Sequence, residues 1–294
     1  MKYTSLSQYL KNEYGTKYSK LALSCAISCP NRDGVCGTKG CIFCSAAGSG
    51  DFAQNALLSV DEQISKAKTL VKNKSVSDRY IAYFQSFTST YGNVAYLKKV
   101  FFDTISRSDI AILSIATRPD CLSDEILKII KELNNIKPVW IELGLQSVHK
   151  STARYIRRGY DTEVYFEAVK KLKDIGVHVI THIIIGLPYE TKEMIIETAR
   201  LVGLVSDGVK LQLLHVLRDT DLCDEYNEGK FQVLSLEEYA DIICECINAM
   251  PEDIIIHRIT GDGNKDTLVA PLWSKDKKRV LNFLNHKIAN FQRT

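Results

Sequence analysis

Cys29, Cys41 and Cys44 stand in the run Cys29-PNRDGVCGTKG-Cys41-IF-Cys44, directly after an apolar segment at 21–27. A Cys-x-x-Cys pair joined by a Gly-rich loop to one more cysteine is a metal-thiolate pattern. Thiolates bind zinc and iron–sulfur clusters alike. Three ligands on a [4Fe–4S] cluster leave one iron open to a small molecule. A structural zinc wants four, and Cys25 or Cys36 is at hand as the fourth. The spacing leaves both readings standing. Phe43, between the last two cysteines, is placed to shield a cluster, to pack on an adenine face or simply to fill a core.

The elements that must carry this loop alternate short apolar, β-rich runs with amphipathic stretches. Strands are expected at 20–26, 80–86, 110–117, 139–145, 177–185, 209–216 and 254–259. Helices are expected at 60–73, 94–106, 124–134, 162–175, 192–204 and 236–250, several opened by a serine such as Ser59, Ser123 or Ser235. Strand–helix alternation at this spacing predicts a parallel α/β sheet. Six units are too few for a closed eight-fold barrel, so the expected fold is a partial (β/α)6 TIM-like barrel with a helical, basic C-terminal extension. The division expected is an N-terminal extension at 1–19, the partial-barrel core at 20–260 and the C-terminal extension at 261–294. In such folds function sits at the C-terminal ends of the strands. The polar signatures QSFTSTYG, TRPD, QSVHKSTARYIRRGY, GLPYET and LRDTDL follow successive strands, as the cysteine loop follows the first.

The chain has 294 residues, 45% of them hydrophobic, and a formal charge of +3, which is long enough for a large α/β domain and too mild to announce a nucleic-acid binder. Its first residues lack the apolar core of a signal peptide, and no run of about 18 apolar residues would cross a membrane. A cytoplasmic protein is expected. Of the nine cysteines, Cys121, Cys223, Cys244 and Cys246 are scattered and read as inert thiols.

Cys29-Pro-Asn-Arg-Asp-Gly34 followed by Gly40-Cys41-x-Phe43-Cys44 resembles the cluster loop of the YhcC/YtqA-type radical S-adenosylmethionine (SAM) proteins. These are relatives of the elongator catalytic subunit and of the oxygen-independent coproporphyrinogen oxidase. Further matches are Ser45-Ala-Ala-Gly-Ser-Gly-Asp-Phe52, Ala82-Tyr-Phe-Gln-Ser86, Thr117-Arg-Pro-Asp120, Glu142-Leu-Gly-Leu-Gln-Ser147, Ile185-Gly-Leu-Pro188 and Ala270-Pro-Leu-Trp-Ser274, so the likeness covers nearly the whole chain. The C-x11-C-x2-C spacing departs from the C-x3-C-x2-C common in the superfamily but is what this subfamily shows.

The resemblance implies a [4Fe–4S] cluster on Cys29, Cys41 and Cys44, with SAM chelated to the open iron and cleaved to a 5′-deoxyadenosyl radical. It implies that Arg158, or its neighbour Arg157, meets the SAM carboxylate, and that Gln146 reaches SAM. Gln85 and Thr88 stand where many relatives carry a Gly-Gly-Glu motif, absent here. Ser114, Thr117 and Arg118 are placed for ribose or carboxylate, and Gly186 with Leu187 for the adenine. The resemblance further implies an electron donor such as flavodoxin or ferredoxin, and a transfer RNA substrate whose wobble-uridine side chain goes from carboxymethylaminomethyl to aminomethyl. The alternatives are a small-molecule substrate, or a zinc-stabilised RNA-binding protein without catalysis.

Beyond the resemblance, His182, His215, Tyr189, Arg218 and Asp219 are candidates for substrate contact by position alone, while His149, His178 and His257 carry no further signal. The stretch 274–294 holds Lys275, Lys277, Lys278, Arg279, Lys287 and Arg293 against Asp276, and Lys2, Lys11, Lys17 and Lys20 add to it at the other terminus. Such a run is a solvated helix face or a dock for RNA phosphates.

Overall fold

A computed structural model describes residues 3–48, 50–261 and 263–291. Lys2 and Arg293 of the basic runs, and Ser49 of the motif after the cysteine loop, lie outside the described residues. In chain order the elements begin with β1 (Thr4–Ser5), α1 (Leu6–Tyr14), β2 (Ser19–Leu23), α2 (Val60–Val71), β3 (Tyr80–Phe84), α3 (Val94–Ile105), β4 (Ile110–Thr117) and α4 (Asp124–Asn134). Next come β5 (Val139–Gln146), α5 (Lys150–Tyr155), α6 (Thr162–Asp174), β6 (His178–Ile185), α7 (Lys192–Gly203) and β7 (Gly208–Leu213). The last are β8 (Val216–Leu217), α8 (Asp221–Asn227), α9 (Leu236–Ala249), β9 (Ile255–Arg258), β10 (Leu268–Ala270) and α10 (Lys277–Asn290).

One parallel sheet of eight strands, in the order β1-β9-β7-β6-β5-β4-β3-β2, curls into a half barrel. It is the expected partial TIM-like barrel, its six principal strands extended at one edge by β9 and β1. The strands alternate faces. Leu21, Leu23, Ala82, Phe84, Leu113, Ile115, Ile141, Leu143, Val179, Ile183, Val209 and Leu211 are buried in the core cluster that the helices complete. The helices begin where their serines predicted. Ser59 and Ser235 form capping boxes with Glu62 and Glu238, and the Ser123 side chain accepts the Ile126 N–H.

Two features differ from the sequence expectation. The run 209–216 is not one strand: β7 ends at Leu213, and β8 turns away to pair antiparallel with β10. That ribbon brings Leu217 and Leu268 to the mouth of the barrel. The N-terminal segment contributes β1 to the sheet edge, beside β9, and α1, which the sequence reading left without an element. Short α5 and α8 were likewise not foreseen.

Helix α1 closes the bottom of the half barrel. Leu10 is buried against the inward residues Ile81, Ile112, Trp140 and Ile180, and the Tyr9 ring lies 6.3 Å from Trp140 and 5.8 Å from His178. Removing Leu10 takes a well-packed side chain from this apolar plug. We expect Leu10→Ala to lose about 2–5 kcal/mol in urea unfolding.

Candidate active site

The upper half of the barrel encloses a cavity of about 860 Å³. Cys29, Cys41 and Cys44 line its mouth together with Phe43, Gln85, Thr88, Thr117, Arg118, Gln146 and Arg158. The three cysteines are free, half-buried thiols. Cys25 is buried among the helix-facing core residues and Cys36 is exposed, and neither lines the cavity. The donor set presented to the cavity is therefore three thiols from one loop, which suits a cluster with one open iron better than a closed four-ligand zinc site.

The loop is held from both sides. Asn31, buried beneath it, donates Nδ2–H to the carbonyls of Arg157 (2.7 Å) and Arg158 (3.1 Å) and lies 3.5 Å from Cys41 Sγ. Gly159 is obligatory beside it, since a Cβ there would stand 2.4 Å from Asn31 Oδ1. Arg32 donates to the carbonyls of Cys44 (3.2 Å) and Ser45 (2.6 Å). Ile42 donates its N–H to Ile156 O (3.2 Å) and accepts from Leu222 N–H (3.1 Å), joining the loop to the segments after β5 and β8. The Cys44 thiol beside it and its own burial push the Cys41 thiol pKa well up, while Asn31 and the Arg118 guanidinium act in the opposite direction.

Arg158 is 1% exposed. Its guanidinium donates to the carbonyls of Leu145 (3.1 Å), Ser147 (2.7 Å) and Tyr160 (3.0 and 3.1 Å) and to Thr162 Oγ1 (2.9 Å). Its donors thus staple the loop between β5 and α6. Arg157 pairs with Asp221 (2.6 Å). Arg118 pairs with Asp120 (2.7 Å), donates to Arg158 O (2.7 Å) and shares the Tyr160 ring with Arg158. Gln146 reaches the cavity from a left-handed backbone (φ +67°), at a register shift between β5 and β6. A non-glycine residue held there is a strained feature of the kind that collects at functional sites.

Other expected site residues fall elsewhere. Ser114 is fully buried below the mouth and donates to Glu142. Gly186 and Leu187 line a separate pocket of about 510 Å³ together with Tyr189, and Leu187 also packs beneath the cysteine loop with Ile42 and Ile156. Arg218 and Asp219 are exposed. His182 and His215 do line the large cavity.

The cavity floor was not foreseen as a site. The wholly buried Glu142 carboxylate accepts from Lys20 Nζ (2.9 Å) and Ser114 Oγ (2.7 Å) on Oε1, and from His182 Nε2 (2.6 Å) and Lys210 Nζ on Oε2. Burial alone would raise its pKa, but Lys20, Lys210 and His182 outweigh that and hold it well below the carboxylate range. Burial pulls His182 down to about 4, aided by Lys210, so at neutral pH the ring is uncharged. Its Nε2–H then donates to Glu142, and Nδ1 accepts from Gln212 Nε2 (3.1 Å). The available signal in the sequence was a polar residue within each of three apolar strands: Glu142 in VWIELGLQ, His182 in HVITHIII and Lys210 in GVKLQL.

Residues 34–202 match the radical SAM superfamily, and residues 206–290 match the radical SAM C-terminal domain. The chain is 42% identical over 290 residues to the YtqA protein of Bacillus subtilis, covering 98% of this chain and 90% of that one. It is 29% identical over 154 residues to the tRNA uridine(34) acetyltransferase of Methanocaldococcus infernus, covering 51% of this chain and 28% of that one. Among solved structures, the archaeal Elp3 of M. infernus with an N-terminal deletion superposes with a TM-score of 0.63 at 21% identity, covering 76% of this chain and 57% of that one. At that identity the likeness speaks for the fold.

Two outcomes follow for the floor. Glu142→Leu leaves the buried Lys210 and the half-buried Lys20 without their carboxylate and should cost about 3–5 kcal/mol in chemical denaturation. His182 is depressed on folding, so below pH 6.5 the unfolded chain takes up a proton that the folded one refuses until about pH 4. Its share of stability is complete above pH 6.5 and is lost as pH falls toward 4. The stability–pH slope in that window should be shallower in His182→Gln than in wild type, as measured by urea midpoints at fixed pH values.

Proposed function

The chain belongs to the radical SAM superfamily and is an enzyme of that class, and we propose that it modifies the C5 side chain of the wobble uridine of transfer RNA, from carboxymethylaminomethyl to aminomethyl. The observation that carries the RNA reading is the basic rim of the cavity. Lys265, Lys275 and Lys277 line it, and Lys278 and Arg279 follow, exposed, on the first turn of α10. Cations at a helix N-terminus oppose the helix dipole. Asp276 caps the helix, its carboxylate accepting Arg279 N–H (3.1 Å). Exposed cations grouped at a cavity mouth are the kind of surface that meets phosphates. A relative named for tRNA uridine(34) supports the same substrate class.

A [4Fe–4S] cluster and SAM are general features of the class. Cys29, Cys41 and Cys44 would hold the cluster, with Asn31, Arg32 and the Ile42 backbone fixing the loop that presents them. Phe43, Gln85, Thr117 and Gln146 would take SAM, with the Arg118 guanidinium, whose charge acts on Cys41 and Cys29, for its carboxylate. Arg158 would act by holding the loop after β5. Reduced through a flavodoxin or ferredoxin, the bound pair would supply a 5′-deoxyadenosyl radical to take hydrogen from the carboxymethyl carbon beside the amine. Loss of one further electron would give an imine, and water would release the two carbons as glyoxylate and leave the aminomethyl group, SAM serving overall as the two-electron oxidant. The cytoplasm is the compartment proposed, since all nine cysteines are free thiols.

The first test is anaerobic. The chain is reconstituted with iron and sulfide, reduced and given SAM, and 5′-deoxyadenosine is followed by mass spectrometry. It should form with wild type and not with Cys41→Ala; if zinc binds and iron does not, the catalytic reading fails. Nucleoside analysis should then show aminomethyluridine arising from tRNA that carries the carboxymethylaminomethyl group. Replacing Lys275, Lys277 and Lys278 by Gln should weaken tRNA binding and lower its salt slope by roughly one unit per lost phosphate contact.

A further inference from the structure

We propose that Gln212 selects a uracil ring in the large cavity, reading its imide edge through a side-chain amide whose orientation His182 and Glu142 set. The inference rests on the wobble-uridine reading and deepens it, by naming the edge of the base that the protein would recognise. Gln212 of β7 and Ile184 of β6 are half-buried neighbours in the parallel register, and both line the cavity. They offer a polar group for the edge of a flat ring beside an apolar group for its face. The Gln212 amide lies 3.1 Å from His182 Nδ1, and among the described residues this is its one hydrogen bond. An oxygen and an N–H are left for a ligand.

A glutamine amide by itself presents oxygen and nitrogen either way round. Here its neighbours make the choice. The Glu142 carboxylate is ionised and only accepts, so His182 Nε2, 2.6 Å away, carries a proton. Ser114, Lys20 and Lys210 fill the other acceptor positions of that carboxylate and fix it against the ring. The imidazole is uncharged at neutral pH, so Nδ1 keeps its lone pair. Gln212 must therefore turn its nitrogen to the ring, because the reversed amide would set oxygen against that lone pair. Glu142 and His182 are thus positioning residues for Gln212, each partner along the line dictating the next.

A uracil imide carries an N3–H donor between two carbonyl acceptors. An amide of set orientation meets it with two bonds, donating N–H to a carbonyl and accepting N3–H on its oxygen. Cytosine carries an acceptor at N3 and an amino donor at C4, the reverse pattern. In the same pose it is met only by an amide turned over, which breaks the bond to His182. A site built to pair with one pattern leaves polar groups unpaired against the other, and rejects it. A base from a single-stranded loop reaches such a cavity unstacked, with that edge free to be read.

The test is calorimetric titration of the reconstituted full chain with uridine, cytidine and 3-methyluridine, which lacks the N3–H. Uridine should bind wild type about 10–100-fold more tightly than either of the others. Gln212→Leu should erase that preference by weakening uridine. His182→Leu should erase the difference between uridine and cytidine the other way, by admitting cytidine, since the released amide can turn over. A loss of affinity for all three alike in His182→Leu would overturn the positioning role. Should that variant fail to fold, the wild-type ¹⁵N imidazole resonances of His182 decide. A protonated Nε2 and a bare Nδ1 are expected at pH 7, and the opposite tautomer overturns the inference. Equal binding of the three nucleosides to folded wild type, or binding of none, overturns it as well. If Gln212→Leu weakens SAM binding and leaves the nucleoside preference intact, the amide serves the cofactor and the inference falls. The reading beneath it fails separately. A uridine preference that depends on Gln212, with no aminomethyluridine formed from tRNA, keeps the inference and removes the wobble reaction; aminomethyluridine formed without such a preference does the reverse.

Discussion

The half barrel depends on a single buried carboxylate. Glu142 of β5 takes donors from β2, β4, β6 and β7, so one side chain ties five strands across the concave face of the sheet. A closed barrel fills its interior with layered aliphatic side chains. An open one that must keep a cavity cannot, and something else has to fix strand curvature at the level where the packing stops. Ion pairing does this at high cost in desolvation, which is repaid only when the geometry is complete. The neutral His182, donating on one side and accepting from Gln212 on the other, carries the network upward without adding charge.

Above this layer the cysteine loop is organised by backbone carbonyls and arginines rather than by apolar packing. Asn31 reads the carbonyls of Arg157 and Arg158, Arg118 donates to the second of these, and Arg158 in turn clamps Leu145, Ser147 and Tyr160. The result is a continuous chain of hydrogen bonds from the end of β5 to Cys41. Thiols carried on a long glycine-bearing loop would otherwise sample many positions. Each donor placed here reduces the reorganisation needed when a cofactor arrives.

Much of this was legible in the residue pattern. Strand β4 and helix α4 fall on their expected residues because an unbroken apolar run and an N-cap serine followed by an amphipathic period have few alternative foldings. Helix α1 escaped because its buried face is little more than Leu10, and its partners lie far along the chain. The cysteines, Gln85, Thr117 and Gln146 were found at the cavity because strand-end loops of parallel sheets converge there. Gly186 and Leu187 follow a strand by the same rule, yet they turn to the pocket beside α9. Sequence order places a loop at the correct end of the barrel and does not say which way it folds over. Arg158 was legible as a candidate for a carboxylate ligand, but its donors go to carbonyls and the Thr162 hydroxyl, which only the three-dimensional course of the β5–α6 loop reveals.

The floor illustrates a different limit. A lysine in an apolar strand reads locally as an edge position or an interruption, and its meaning appears only when the curl of the sheet brings Lys20, Glu142 and Lys210 together from strands that are not neighbours. Parallel register aligns the neighbouring strands: Trp140 and Glu142 pair with His178 and Ile180, and His182 with Lys210. The cations then lie at two depths, one layer sealed beneath the cysteines and another exposed on α10 at the rim. Charge at the rim acts through water and is screened by salt. Charge at the floor acts in a low dielectric, where one misplaced group is penalised heavily. The two layers of charge thus sit in different media, and the thiols lie between them.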